Sequence, residues 1–294
     1  MTETVAGIEY QHPTVTLLQE TGIGTSEIAA RTCYDSFILS ENDCIKDFET
    51  LNKMGGTNLE LINGINHSDL LDTLAWTHFH HSILEHANLT YLIQGTSRGV
   101  LQEHARHRIQ AISVRSTRYT MSSVINAFVA SKFCTEAAQT EFDVEESLIA
   151  FLGLGASLDL FVTTNAEYNE NELASIYLKL NHQFNKLGYK EFYNTSTPKS
   201  SWSIFEDSGA NEYTPQQMFK MLEAGKKKRN VGDAFKHIVT DNWKVDMVVT
   251  MNLRALKNYL DLRDSGAAYF QARWLAQAIK SATPQKYLDL IVKK

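Results

Sequence analysis

The fourteen residues from Arg106 to Tyr119 constrain the chain most. They hold Arg106, Arg108, Arg115 and Arg118, one histidine, and the hydroxyls of Ser113, Ser116 and Thr117, but no lysine. The whole chain carries a net charge of -6. A cationic segment on an acidic protein calls for an anionic partner. Arginine suits phosphate because its rigid fork matches two oxygens at once, and hydroxyls add donors at short reach. The arginines alternate with Ile109, Ala111, Ile112 and Val114, which predicts a half-buried segment whose arginines must be paired. A solvated basic strand or loop is the plainer alternative.

The pattern Arg106-His107-Arg108, seven residues, Ser116, one residue, Arg118-Tyr119 resembles the flavin-dependent thymidylate synthase family. Flanking segments resemble it too. Ala29 to Tyr34 is similar to the family's first helix, and Cys33 is expected as a small buried core residue. His80 to His86, with Ser82 and Glu85, is similar to a segment that approaches the flavin. Asn252-x-Arg254-x-x-x-Asn258-x-x-x-x-Arg263 matches a second family motif. The resemblance runs over residues 12 to 120 and 232 to 280.

It implies conversion of dUMP to dTMP, with methylenetetrahydrofolate as one-carbon donor, NADPH as reductant and FAD as cofactor. FAD contacts fall on Ser82, Glu85, Arg106, His107, Arg108, Ile109, Asn252, Arg254 and Asn258. Substrate contacts fall on Gln102, Glu103, Arg106, Ser116, Thr117, Arg118, Lys236 and Arg263. Arg263 and His80 are the catalytic candidates: Arg263 at the uracil ring, favouring N3 ionisation, and His80 beside flavin and folate. The resemblance further implies a homotetramer with shared active sites. The chain departs from the family at Glu103 (Gln is usual, and Gln102 sits one place earlier), Ser113, Val114, Lys236 (Arg is common) and Ala267. Ser116 has no paired base adjoining it, so it is assigned to binding. No Gly-x-Gly-x-x-Gly follows a strand, so a Rossmann mode of holding FAD is not expected.

Composition bounds the rest. With 294 residues, 43% apolar residues and four prolines, and no linker or low-complexity run, the expectation is one α+β domain over residues 1 to 294. It has a mostly antiparallel central sheet flanked by helices, and a helical insertion over 125 to 210. The negative charge argues against general nucleic-acid affinity. No membrane-length apolar run and no secretory h-region occur, and Cys33, Cys44 and Cys134 suit a reduced compartment, so a cytoplasmic protein is expected.

Locally, strands are expected at Val15–Leu18, Asn88–Gln94 (ended by Gly95), Thr120–Val124 and Val245–Met251. Helices are expected after caps at Thr25 or Ser26, Asn66 or Ser68, Ser97, Thr214, Asn252 and Ser265, and across 144–160, 171–187 and 232–239. Two other functional classes fit parts of the chain. Six of its ten histidines lie between His78 and His107, and the His78 to His86 cluster suggests a metal-dependent hydrolase. Against that, its spacing misses the His-Glu-x-x-His pattern and no cysteine adjoins it, so no metal is assigned. The arginine segment alone suggests a non-catalytic nucleotide- or RNA-binding protein.

Overall fold

A computed structural model describes residues 1–46, 68–133, 144–186 and 235–293. In chain order the strands are β1 (Thr2–Val5), β2 (Ile8–Gln11), β3 (Thr14–Glu20), β4 (Asn88–Ser97), β5 (Ala111–Val114) and β6 (Lys244–Asn252). The helices are α1 (Gly24–Cys33), α2 (Asp43–Lys46), α3 (Asp69–Asp72), α4 (Arg98–His104), α5 (Thr117–Phe133), α6 (Val144–Ala156), α7 (Ala166–Lys186), α8 (Leu253–Arg263), α9 (Phe270–Ala282) and α10 (Gln285–Ile291). A π turn follows α3 at Thr73–Thr77, and 3-10 turns lie at His81–His86 and Lys236–Ile238. The chain divides into two compact units: residues 12–114 with 246–294, and residues 1–11 with 115–245.

The first unit is the α+β part. Its sheet runs β3-β4-β6-β5. β3 pairs with β4, and β5 with β6, antiparallel. Between β4 and β6, Thr90 bonds Thr250 and the Gly95 amide donates to Asp246, so residue numbers run in opposite senses there too. Val245, Met247, Val249 and Met251 alternate inward along β6, as period-2 burial requires. Met247, Val249 and Met251 join Leu89, Tyr91 and Ile93 of β4 and Leu253, Leu256 and Leu260 of α8 in one core. β4 does not end at Gly95. That glycine takes φ +72° within the strand, which continues to Ser97.

Capping went partly as expected. Ser68, Ser97 and Asn252 each accept an amide hydrogen bond at the start of their helices. Thr25 does not cap α1; its hydroxyl donates to the carbonyls of Gly22 and His86. Ser265 does not open α9 either, because its hydroxyl donates to Leu262 of the preceding helix, and Tyr269 stands at the N-cap. α9 is followed by α10 and so is not the final helix. Cys33 is exposed, a correction to its expected burial, since it is the last residue of α1, followed by exposed Tyr34 and Asp35.

The second unit holds a β1–β2 hairpin, turned by Ala6 and Gly7 at positive φ, and the helices α5, α6 and α7. Residues 120 to 124 are helical, not a strand. Met121, Val124, Ile125 and Phe128 recur at helical spacing and are all buried, so tertiary burial overrides the local β-rich composition. Leu173, Ile176 and Leu180 form a buried stripe of α7, and pack with Phe128 and Phe151. Of the helix expected over 232–239, Phe235 is α-helical and a 3-10 turn follows at Lys236–Ile238; residues 232–234 lie outside the described residues. Cys134, Gly188 and the Thr214 to Arg229 stretch lie outside the described residues. Among the described residues no helix is long and apolar enough to cross a membrane.

Candidate functional site

In the α+β unit, Ser97 starts α4, which carries Gln102, Glu103 and His104 to its C-terminal end. The chain then turns: the His107 amide and the Gln110 side-chain amide both donate to the His104 carbonyl, at 3.1 and 3.0 Å. It enters β5, whose neighbour β6 ends at Asn252, the cap of α8. This order brings the two arginine-bearing motifs to one place. Glu85, residues Arg106 to Gln110, Met251, Asn252, Arg254, Ala255, Asn258, Tyr259, Leu262 and Arg263 line a cleft of about 810 Å³.

The cleft is amphipathic. Ile109 and Leu262 expose apolar surface at it, while Met251 and Tyr259 are buried. Arg106 is 76% exposed, and Arg108 is exposed too. This corrects the expectation of half-buried arginines; the expected pairing holds for Arg106, whose Nη1 lies 3.8 Å from Glu103 Oε1. Ile112 and Val114 are the half-buried positions of β5, whereas Arg106 and Arg108 stand in the exposed turn that precedes the strand. Arg254 Nη1 lies 2.5 Å from Glu85 Oε1, a pair about half exposed.

Arg263 differs from these, being 18% exposed and anchored at three points. Nη1 lies 2.8 Å from Glu103 Oε2. Nη2 donates to the Glu103 carbonyl at 3.4 Å and Nε donates to His107 Nε2 at 3.0 Å. His107 sits edge-on to Tyr259, and so does His104 beneath it, with ring centroids 4.8 and 5.1 Å away. Burial and the Arg263 charge push the His107 pKa down, against the pull of Glu103. Burial, and then His107, lower that of His104 to about 4. Burial raises the Tyr259 phenol, which stays neutral.

Of the expected flavin contacts, every residue except Ser82 lines this cleft, together with Arg263 of the expected substrate contacts. Glu103 joins through Arg263. Ser82, His80 and Gln102 are exposed and are not among the lining residues. Ser116, Thr117 and Lys236 belong to the other unit, with Lys236 exposed on its 3-10 turn. Arg118 starts in the same helix as Thr117, and its side chain lies outside the described residues. Sequence reasoning missed Tyr259, His104 and Gln110. Tyr259 was findable, because it falls on the buried Leu256–Leu260 stripe of α8 yet carries a hydroxyl. Among the described residues no three His, Cys, Asp or Glu side chains are grouped to hold a metal ion. In the histidine segment, His81 Nε2 is bonded to the Ala75 carbonyl at 3.1 Å.

A lining of exposed guanidinium forks beside apolar and aromatic surface fits a flat ring joined to a pyrophosphate, and the volume is that of a cofactor site. A family model described as "Thymidylate synthase complementing protein" matches residues 16–286. The chain belongs to that family. Flavin-dependent thymidylate synthases of Campylobacter jejuni and Wolinella succinogenes are 28% and 27% identical to it over 273 and 274 residues, covering 93% of this chain and 93% and 95% of theirs. A crystal structure of thymidylate synthase X from Helicobacter pylori, with FAD and dUMP, aligns with a TM-score of 0.51 at 23% identity. That alignment covers 95% of this chain and 97% of the other, and it shows a shared fold. Both arginine-bearing motifs fall inside the span that the family model matches.

Proposed function

We propose that this chain is an FAD-dependent thymidylate synthase that reductively methylates dUMP to dTMP, taking the one-carbon unit from methylenetetrahydrofolate and reducing equivalents from NADPH. The observation that carries this reading is the convergence of Arg106 to Gln110, from the first arginine-bearing motif, and Asn252 to Arg263, from the second, on one amphipathic cleft. FAD, when bound, supplies the redox chemistry.

Arg108, Arg254 and His107 hold its pyrophosphate, with Arg106, Ile109, Asn252, Asn258, Glu85 and Ser82 as further contacts. Glu85 keeps the Arg254 fork extended into the cleft. For dUMP, Ser116, Thr117, Arg118 and Lys236 supply phosphate donors. Lysine brings charge without the bidentate fork. Arg106, Arg263 and Gln102 or Glu103 meet the nucleotide, with Arg263 at the uracil ring. His80 serves the folate side.

The chain acts as one catalytic domain, in a homotetramer that shares its sites, within a reduced cytoplasm. The family model, matched from residue 16 to 286 through both units, supports that extent. Cys33 and Cys44, free thiols among the described residues, suit the compartment. The test is turnover: labelled dUMP should yield dTMP only when FAD, methylenetetrahydrofolate and NADPH are all present. Formation of dTMP without added or bound flavin contradicts the proposal.

A further inference from the structure

Arg263 has three contacts inside the protein, and two of them come from one residue. Glu103 holds it by carboxylate and by backbone carbonyl, 2.8 and 3.4 Å away. The third contact sets a proton. A guanidinium N–H can only donate. Arg263 Nε lies 3.0 Å from His107 Nε2, so that nitrogen must be a bare lone pair. The ring is then neutral and carries its proton on Nδ1. We propose that Glu103 is a positioning residue, which clamps Arg263 so that its Nε–H fixes His107 as the neutral Nδ1–H tautomer at the cleft.

The groups facing His107 agree. Tyr259 of α8 packs edge-on against the ring and stays neutral. His104 of α4 is buried, with its pKa held down by burial and by His107 against the pull of Gln110. Arg106 and Arg108 adjoin His107 in the chain but are exposed, and it is burial and Arg263 that oppose an imidazolium. Glu103 is the one facing carboxylate among these groups; Arg263 engages its Oε2 at 2.8 Å, and exposed Arg106 lies 3.8 Å from its Oε1. A clamped Arg263 therefore gives the cleft a defined donor and acceptor pattern before any ligand arrives. The tautomer assignment rests on the hydrogen bond alone; its catalytic use rests on the synthase reading.

The test is ¹⁵N–¹H correlation spectroscopy on full-length protein labelled at histidine, without and with FAD. His107→Gln assigns the His107 signals by their loss. At pH 7 the expected pattern is protonated Nδ1 and bare Nε2. Glu103→Gln, which keeps an acceptor for Arg263, should retain that pattern. Glu103→Ala should release Arg263, letting the ring revert toward the Nε2–H tautomer or titrate near its ordinary pKa. A wild-type ring with Nε2–H overturns the proposal, and needs no variant to fold. So does an unchanged tautomer in a folded Glu103→Ala. Failure to take up FAD would defeat the synthase reading while leaving the tautomer result intact.

Discussion

Arg254, which lines the cleft, and His104, buried against its Tyr259, serve the protein differently. Arg254 pairs with Glu85 at half exposure, where ion pairs contribute roughly 0–1 kcal/mol. Arg254→Ala should therefore leave the melting temperature of the flavin-free protein nearly unchanged. Losing a charged hydrogen bond to a phosphate costs about 1.5–3 kcal/mol, so FAD should bind roughly 10- to 100-fold more weakly, measured by flavin titration. His104 acts through stability. The folded chain refuses a proton down to about pH 4, because burial and then His107 oppose it. The unfolded chain accepts that proton below about 6.5. Its contribution is complete above that value and is lost as pH falls toward the folded pKa. The loss is on the order of 3 kcal/mol. His104→Phe keeps the ring against Tyr259 and removes the titration, so its denaturation midpoint should fall less between pH 7 and pH 4 than that of the wild type.

At the scale of elements, the hydrogen bonds that start helices were readable wherever a hydroxyl or amide precedes an apolar stripe. Ser97, Ser68 and Asn252 cap as their sequences imply. Asn252→Ala should cost about 1 kcal/mol in chemical denaturation through loss of the Ala255 amide bond, and should weaken flavin binding as well. Gly95→Ala should cost on the order of 1–2 kcal/mol, since φ +72° is unfavourable for a residue with a Cβ. Thr120 to Val124 shows what local reading missed. Threonine, serine and valine in a row favour a strand, and only the burial of Met121, Val124 and Phe128 along one face makes them helical. The arginines of the first motif were misjudged because the apolar residues among them belong to the short strand β5, while Arg106 and Arg108 stand in the exposed turn before it.

For the molecule as a whole, the spacing of the two motifs was legible and their convergence was not. Residues 106–110 and 252–263 are far apart in sequence, and it is the β5–β6 pairing that sets them side by side. The role of Glu103 was left open between two neighbours on α4, and its pairing with Arg263 is a tertiary fact. The histidine cluster suggested a metal, yet His81 is committed to a backbone carbonyl. Treatment with chelator should accordingly leave flavin uptake and dTMP formation unchanged; loss of turnover restored by added zinc would contradict this.

The central claim is that this cleft holds a flavin. The most direct measurement is the visible absorption spectrum of the purified full-length protein during FAD titration, set beside Arg108→Ala and Arg254→Ala. A perturbed, saturable flavin spectrum in the wild type, weakened at least about tenfold in both folded variants, is the expected result. A wild-type protein that stays colourless and takes up no added FAD would contradict it, as would variants that bind FAD as tightly as the wild type.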